Sequence, residues 1–151
     1  MEGSGQGSED RVALRQLVDT YAAAVDHGDP AAVAALFAPD GRLVSHPDDA
    51  AAPLVRTGRH AIASALTRGL ARYLATTHLV GGQVVTVDGE AATGETTCVA
   101  HHVYADADGR RRMLVMAVRY HDRYVRHGPA WLFAERRLHF DWREDRPMAQ
   151  R

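Results

Sequence analysis

The stretch RRMLVMAVRYHDRYVRHGPAWLFAERRLHFDW, residues 111–142, decides the fold. Both halves are dense in β-branched and aromatic residues, and His127-Gly128-Pro129 separates them. They read as two long strands, Arg111–Arg126 and Trp131–Trp142, folded back on each other at a turn. Upstream, Thr76–Val87 and Ala91–Ala105 have the same character, with Asp88-Gly89 and Asp106-Ala107-Asp108-Gly109 as their connections. Four long strands on short Gly-containing turns imply an antiparallel meander.

The chain before these strands has a helical period. Leu14, Leu17, Val18, Tyr21, Ala22 and Val25 form an apolar stripe, with Ser8 as N-cap, Glu9 and Asp10 in the first turn, and His27-Gly28 as the end. Asp29-Pro30 opens a short second helix to about Phe37. Pro39-Asp40-Gly41 turns into a short strand, Arg42–Ser45, and residues 46–57 read as a loop. A third helix, about Gly58–Tyr73, carries Ile62, Leu66 and Leu70 on one side, with Leu74 continuing the line. Helices followed by a run of strands make an α+β protein, with a strongly curved sheet wrapped on helices and a pocket between them. The expected organisation is a Gly/Ser-rich tail at 1–7, one domain at 8–143 and a short tail at 144–151.

Composition narrows the function. The 151 residues suit one domain, and 18 basic against 19 acidic side chains leave no electrostatic footprint for nucleic acid or an anionic membrane surface. No apolar run reaches the length of a membrane span, and MEGSGQGSED has no apolar signal region, so a cytoplasmic location is expected. Every basic residue is Arg, which removes Schiff-base and P-loop lysines; there is no Asn for a Cys-His-Asn triad, and no Ser lies in a GxSxG elbow. The single Cys98 excludes an internal disulfide and any CxxC motif. No HExxH or His-x-His spacing is present, and Asp106–Gly109 lacks the later ligands of a calcium loop, so no metal is expected. His, carboxylate, Tyr and Arg remain as catalytic material, and nine His is a large supply.

Polar residues that interrupt apolar rows are the informative ones. Asp26 continues the line Val18, Ala22 at the edge of the first helix's stripe; it is either a solvated helix-end carboxylate or one aimed inward at a compensating group. Arg136 is the only charge in the row Leu132, Ala134, Arg136, Leu138, Phe140, Trp142, and needs an anionic partner or a polar pocket if that row is buried. His78 shares a strand face with Val80, Gly82 and Val84. His101 and His102 are adjacent, so they point to opposite faces, and spacing does not choose between them. Tyr120 lies on the apolar row Leu114, Met116, Val118, Tyr120.

The order of these segments resembles a known family. Tyr21-Ala-Ala-Ala-Val-Asp26-His-Gly-Asp29 and Leu36-Phe-Ala-Pro-Asp40-Gly41 are similar to the first two helices of SnoaL-like proteins of the nuclear-transport-factor-2-like superfamily. Thr77-His78-Leu-Val-Gly81-Gly82, Gly94-Glu-Thr-Thr-Cys98-Val-Ala-His101-His102 and Trp131-Leu-Phe-Ala-Glu-Arg136-Arg137 resemble strands of its scytalone dehydratase and hexachlorocyclohexane dehydrochlorinase branch. The resemblance spans about residues 8–143. It implies a cone-shaped α+β barrel: three N-terminal helices on a strongly curved, mainly antiparallel sheet that encloses an apolar cavity.

It also implies catalytic roles for Asp26, His78, His102 and Arg136, with Tyr21, Val25, Leu79, Met116 and Tyr120 around the substrate. The tyrosines that hold a water in the fungal dehydratase fall here on Val25 and Ser45, which makes scytalone itself a poor candidate. The implied chemistry is cofactor-independent acid–base catalysis on a small apolar organic molecule: elimination of water, isomerisation or ring closure. His78 would abstract a carbon-bound proton, Asp26 would orient it, His102 would donate a proton, and Arg136 would stabilise developing negative charge. The competing expectation is a non-catalytic binding or assembly module using the same cavity. A homo-oligomer, dimer or trimer, follows from the resemblance alone.

Overall fold

The four long strands pair in the order in which they occur, and the computed structural model describes residues 3–47 and 52–150. The elements are α1 (Gly3–Asp26), α2 (Pro30–Ala35), β1 (Phe37–His46), β2 (Leu54–Thr57), α3 (Arg59–Leu70), β3 (Ala75–Asp88), β4 (Ala91–Ala105), β5 (Arg111–His127) and β6 (Ala130–Pro147). The sheet order is β2-β1-β6-β5-β4-β3. β3 to β6 form the meander, while β1 runs parallel to β6 and antiparallel to β2. The sheet is therefore mixed, and it stays open between its edge strands β2 and β3 instead of closing into a barrel. Gly89, Gly109 and Gly128 take positive φ at the three hairpin connections, where a side chain would be strained.

The helices cover one face of this sheet. Leu14, Leu17, Val18, Tyr21, Ala24 and Val25 of α1 are buried together with Phe37, Val118, Tyr120, Tyr124 and Phe133 of the strands. α1 begins at Gly3, upstream of the expected cap at Ser8. Its N-terminal half is tied to the sheet by Asp10, a buried carboxylate that accepts from Arg126 at 3.0 Å and from the Trp131 indole at 3.0 Å. Such an anchor outweighs the poor helix propensity of the Gly/Ser residues before it. At the other end α1 stops on a left-handed Gly28, and Asp29 caps α2 by accepting from the Ala32 N–H at 3.0 Å.

Several boundaries differ from the sequence reading because long-range pairing extends short local signals. β1 starts at Phe37 and includes Pro39-Asp40-Gly41, absorbed as an irregularity in the pairing with β6. A Cβ on Gly41 would lie 2.9 Å from the Ala38 carbonyl oxygen and 3.1 Å from that of Phe133, so the strand can cross here only with glycine. The expected loop at 46–57 contains β2, a strand made by pairing Leu54–Thr57 with Arg42–Ser45; its residues 48–51 lie outside the described residues. β6 continues to Pro147 because β5 supplies partners as far as Arg112.

Two rows also change face. The pairing of β3 with β4 slips between Val80 and Gln83, so Gln83, Val85 and Val87 follow His78 inward and Val84 is exposed. β6 slips beside Ala134 and again beside Asp141. Its inner row is therefore Trp131, Phe133, Arg136, Leu138 and Phe140, without the expected Leu132, Ala134 and Trp142. A bulge inserts one residue and reverses the alternation beyond it, which a strict period of two does not anticipate.

Candidate active site

α1 ends at Asp26, where the partial negative charge of a helix C-terminus disfavours a carboxylate. β3 compensates it. Thr76 and His78 lie two apart on one strand face and both reach Asp26. The Thr76 hydroxyl donates to Oδ1 at 2.9 Å, the His78 backbone N–H donates to Oδ2 at 2.8 Å, and His78 Nδ1 lies 2.7 Å from Oδ1. Burial raises the Asp26 pKa, but these hydrogen bonds outweigh it and hold the carboxyl below its ordinary value. An ionised carboxylate can only accept, so Nδ1 carries a hydrogen, and in the neutral ring the lone pair is on Nε2. The His78 side chain is 8% exposed and lines a cavity of about 320 Å³ between the helices and the sheet.

His102, paired with Thr76 in the sheet, faces the same cavity, whereas His101 takes the other face, with Nδ1 3.3 Å from the Thr77 carbonyl. The His102 ring is 5.7 Å from that of His78 and 4.6 Å from that of Tyr73. Its Nδ1 lies 3.3 Å from the Leu114 carbonyl oxygen, so this ring too holds its hydrogen on Nδ1 and leaves Nε2 bare. Burial, reinforced by His78 and Arg72, pushes its pKa down to about 4. A neutral ring whose hydrogen is directed at a carbonyl presents an acceptor to the cavity.

Arg136 is fully buried and does not line the cavity. Its Nε donates to Asp122 at 3.2 Å, and its guanidinium carbon lies 4.2 Å from the Tyr21 ring centroid, 3.5 Å from Tyr120 and 4.7 Å from Phe133. Nη1 and Nη2 meet aromatic faces and no protein acceptor among the described residues. Burial disfavours the guanidinium charge, and Asp122 together with Tyr120, Tyr21 and Tyr124 more than restores it. Tyr21 and Tyr120, which do line the cavity, stand between it and this cation. Burial also raises the pKa of both phenols, which stay protonated.

Of the expected substrate contacts, Tyr21, Val25, Met116 and Tyr120 line the cavity. Leu79 does not. It is 59% exposed on the opposite sheet face, in a transverse row with Val99, Ala117 and Trp142, because it follows His78 by one residue. The sequence reading missed Arg56, Arg72 and Tyr73, which also border the cavity. Arg56 sits on the unanticipated β2, and Arg72 and Tyr73 follow α3, which ends at Leu70. Ser45 lines the cavity beside them, at one of the two positions where the resemblance replaces a tyrosine. Among the described residues no three His, Cys, Asp or Glu side chains converge as metal ligands, and no helix is long and apolar enough to cross a membrane.

Comparison with known proteins agrees with this architecture. No curated protein matches the chain in sequence. A protein of unknown function from Mycobacterium tuberculosis superposes with a TM-score of 0.77 at 26% identity, over 93% of this chain and 77% of the other. A candidate scytalone dehydratase from Novosphingobium aromaticivorans gives 0.81 at 21% identity, over 98% and 93%. A type 3 hexachlorocyclohexane dehydrochlorinase from Novosphingobium barchaimii gives 0.74 at 16% identity, over 93% and 91%. The SnoaL-like domain profile matches residues 6–137, which run from α1 into β6 and contain Asp26, His78 and His102, and the chain belongs to the SnoaL-like family.

Proposed function

We propose that this protein is a cofactor-independent lyase or isomerase that removes a carbon-bound proton from a small, largely apolar molecule held in the cavity. The observation that carries this reading is the His78 ring: Asp26 pins its Nδ1–H at 2.7 Å and leaves the basic Nε2 in a cavity that is otherwise mostly apolar. Asp26 selects the tautomer and stabilises the imidazolium formed when Nε2 takes the proton. The similarity in fold to proteins named as a dehydratase and a dehydrochlorinase supports elimination as the first reaction class to examine.

For a β-hydroxy carbonyl substrate, Nε2 of His78 takes the α-hydrogen, and the C–H electron pair becomes the enolate. Collapse of the enolate expels the β-hydroxyl, which leaves as water with the proton from His78, so the ring ends neutral. His102 accepts a hydrogen bond from a substrate hydroxyl through its bare Nε2. Arg136 acts from behind the ring faces, holding Tyr21 and Tyr120 in place as cavity walls, and does not contact substrate.

The test is a panel of β-hydroxy ketones and β-hydroxy acids, followed by enone absorbance and by exchange of the α-hydrogen in heavy water. Turnover or exchange is expected, and His78→Ala should reduce it by about 10²–10⁴-fold while the far-UV circular dichroism stays the same. Saturable binding across the panel with no exchange in the wild type favours the non-catalytic binding module, and unchanged turnover in His78→Ala removes His78 as the base.

A further inference from the structure

The cavity has a charged side that the mechanism above does not use. Arg56 on β2 and Arg72 beyond α3 both border it, and no carboxylate among the described residues does. Arg72 is exposed and stacks over Tyr73 with its guanidinium carbon 4.9 Å from the ring centroid; Arg56 is half-buried, and among the described residues its Nη1 reaches the carbonyl of its neighbour Val55, at 3.3 Å. Elsewhere Arg42, Arg119, Arg126 and Arg137 each sit on a carboxylate. Among the described residues neither cavity arginine meets a carboxylate, so both can meet a ligand, and the exposure of Arg72 places it at the mouth. Deeper in, Val25, Leu66, Leu70, Met116, Leu138 and Phe140 are apolar, and Asp26 is screened from the cavity by the His78 ring bonded to it.

We infer that the cavity takes an amphiphilic organic anion, with an apolar ring or chain inside and a carboxylate at the mouth held by Arg56 and Arg72. Positive charge over low-dielectric walls concentrates anions, and a guanidinium fork matches the two oxygens of a carboxylate. The neutral His102 leaves the arginines as the charge that recognises the ligand. The inference rests on reading the cavity as the substrate site and narrows the substrate to an organic acid.

Calorimetric binding of 1-naphthaleneacetate and of the uncharged 1-naphthaleneacetamide tests it on the full chain. The carboxylate is expected to bind about tenfold more tightly than the amide, as one charge-assisted contact provides. The double variant Arg56→Gln, Arg72→Gln should bring the two to near parity, and added salt should weaken only the carboxylate. Equal affinities in the wild type, no saturable binding of the carboxylate, or a preference that survives the double variant overturns the inference. His78→Ala separates it from the catalytic reading. Loss of turnover with the preference retained supports both. Unchanged turnover with the preference retained removes only the role of His78 as the base, and lost preference with His78-dependent turnover removes only the anion site.

Discussion

Asp26 and Asp122 each hold a basic side chain of a β-strand, but the two pairs have opposite access to the cavity. Asp122 and Arg136 come from adjacent strands and are both buried; the guanidinium spends one donor on the carboxylate and turns its faces to three aromatic rings. Asp26 sits at a helix end with a quarter of its side chain exposed, and His78 spends one ring nitrogen on it and keeps the other in the cavity. An Arg charge is permanent and cannot move a proton at neutral pH, so its buried pair serves packing and orientation. An imidazole can hold or release a proton, and the carboxylate decides which nitrogen does so. Enclosure favours structure in one pair, and a free nitrogen favours chemistry in the other.

Substitutions that break each pair should therefore fail differently. Asp122→Asn leaves the buried Arg136 charge without its counter-ion and should cost about 3–5 kcal/mol of stability, read by chemical denaturation. A loss below about 1 kcal/mol would mean that the rings alone support the guanidinium. The other cavity histidine gives the next effect. With its pKa pushed down to about 4, native His102 stays neutral while the unfolded ring takes a proton below about 6.5. The unfolded state then binds more protons, so stability should fall by about 3 kcal/mol as pH drops from about 6.5 to about 4, and flatten below that. His102→Gln should lose this acid-side slope; the same slope in the variant would assign it to another group.

Asp26→Asn should show the smallest change in stability, about 1 kcal/mol, because the carboxylate is partly solvated. Its stabilising contribution is present above the ordinary carboxylate pKa and is lost as pH falls through the lowered native value. The same variant has a sharper readout in ¹⁵N NMR of His78. The ring should be the Nδ1–H tautomer in the wild type and a mixture of tautomers in Asp26→Asn. Identical tautomers would show that Asp26 does not set which nitrogen faces the cavity.

Much of this contrast was legible in the residues. The apolar stripe from Leu14 to Val25 marks α1 as a packed helix, the lone charge of Arg136 in an apolar row asks for an anionic partner or a polar pocket, and the helix-end position of Asp26 asks for a compensating group. Arg136 illustrates the limit of such reasoning. A row pattern shows that a charge is buried, but its partner Asp122 is recognised only when β5 and β6 are set in register. That register also carries two bulges, and each reverses which residues of β6 face inward.

Local sequence determined the helices, the four meander strands and their turns, because apolar periodicity and Gly-containing turns act over neighbouring residues. Tertiary structure alone decided three things. It extended α1 to Gly3 through the bonds of Asp10 to Arg126 and Trp131, more than a hundred residues away. It made β2 from a stretch that reads as loop, by lending it β1 as a partner and so bringing Arg56 to the cavity. It also assigned the hydrogen of each cavity histidine to Nδ1, since Asp26 faces one ring and the Leu114 carbonyl the other. Strand pairing and hydrogen-bond direction depend on groups far apart in the chain, and no local pattern contains them.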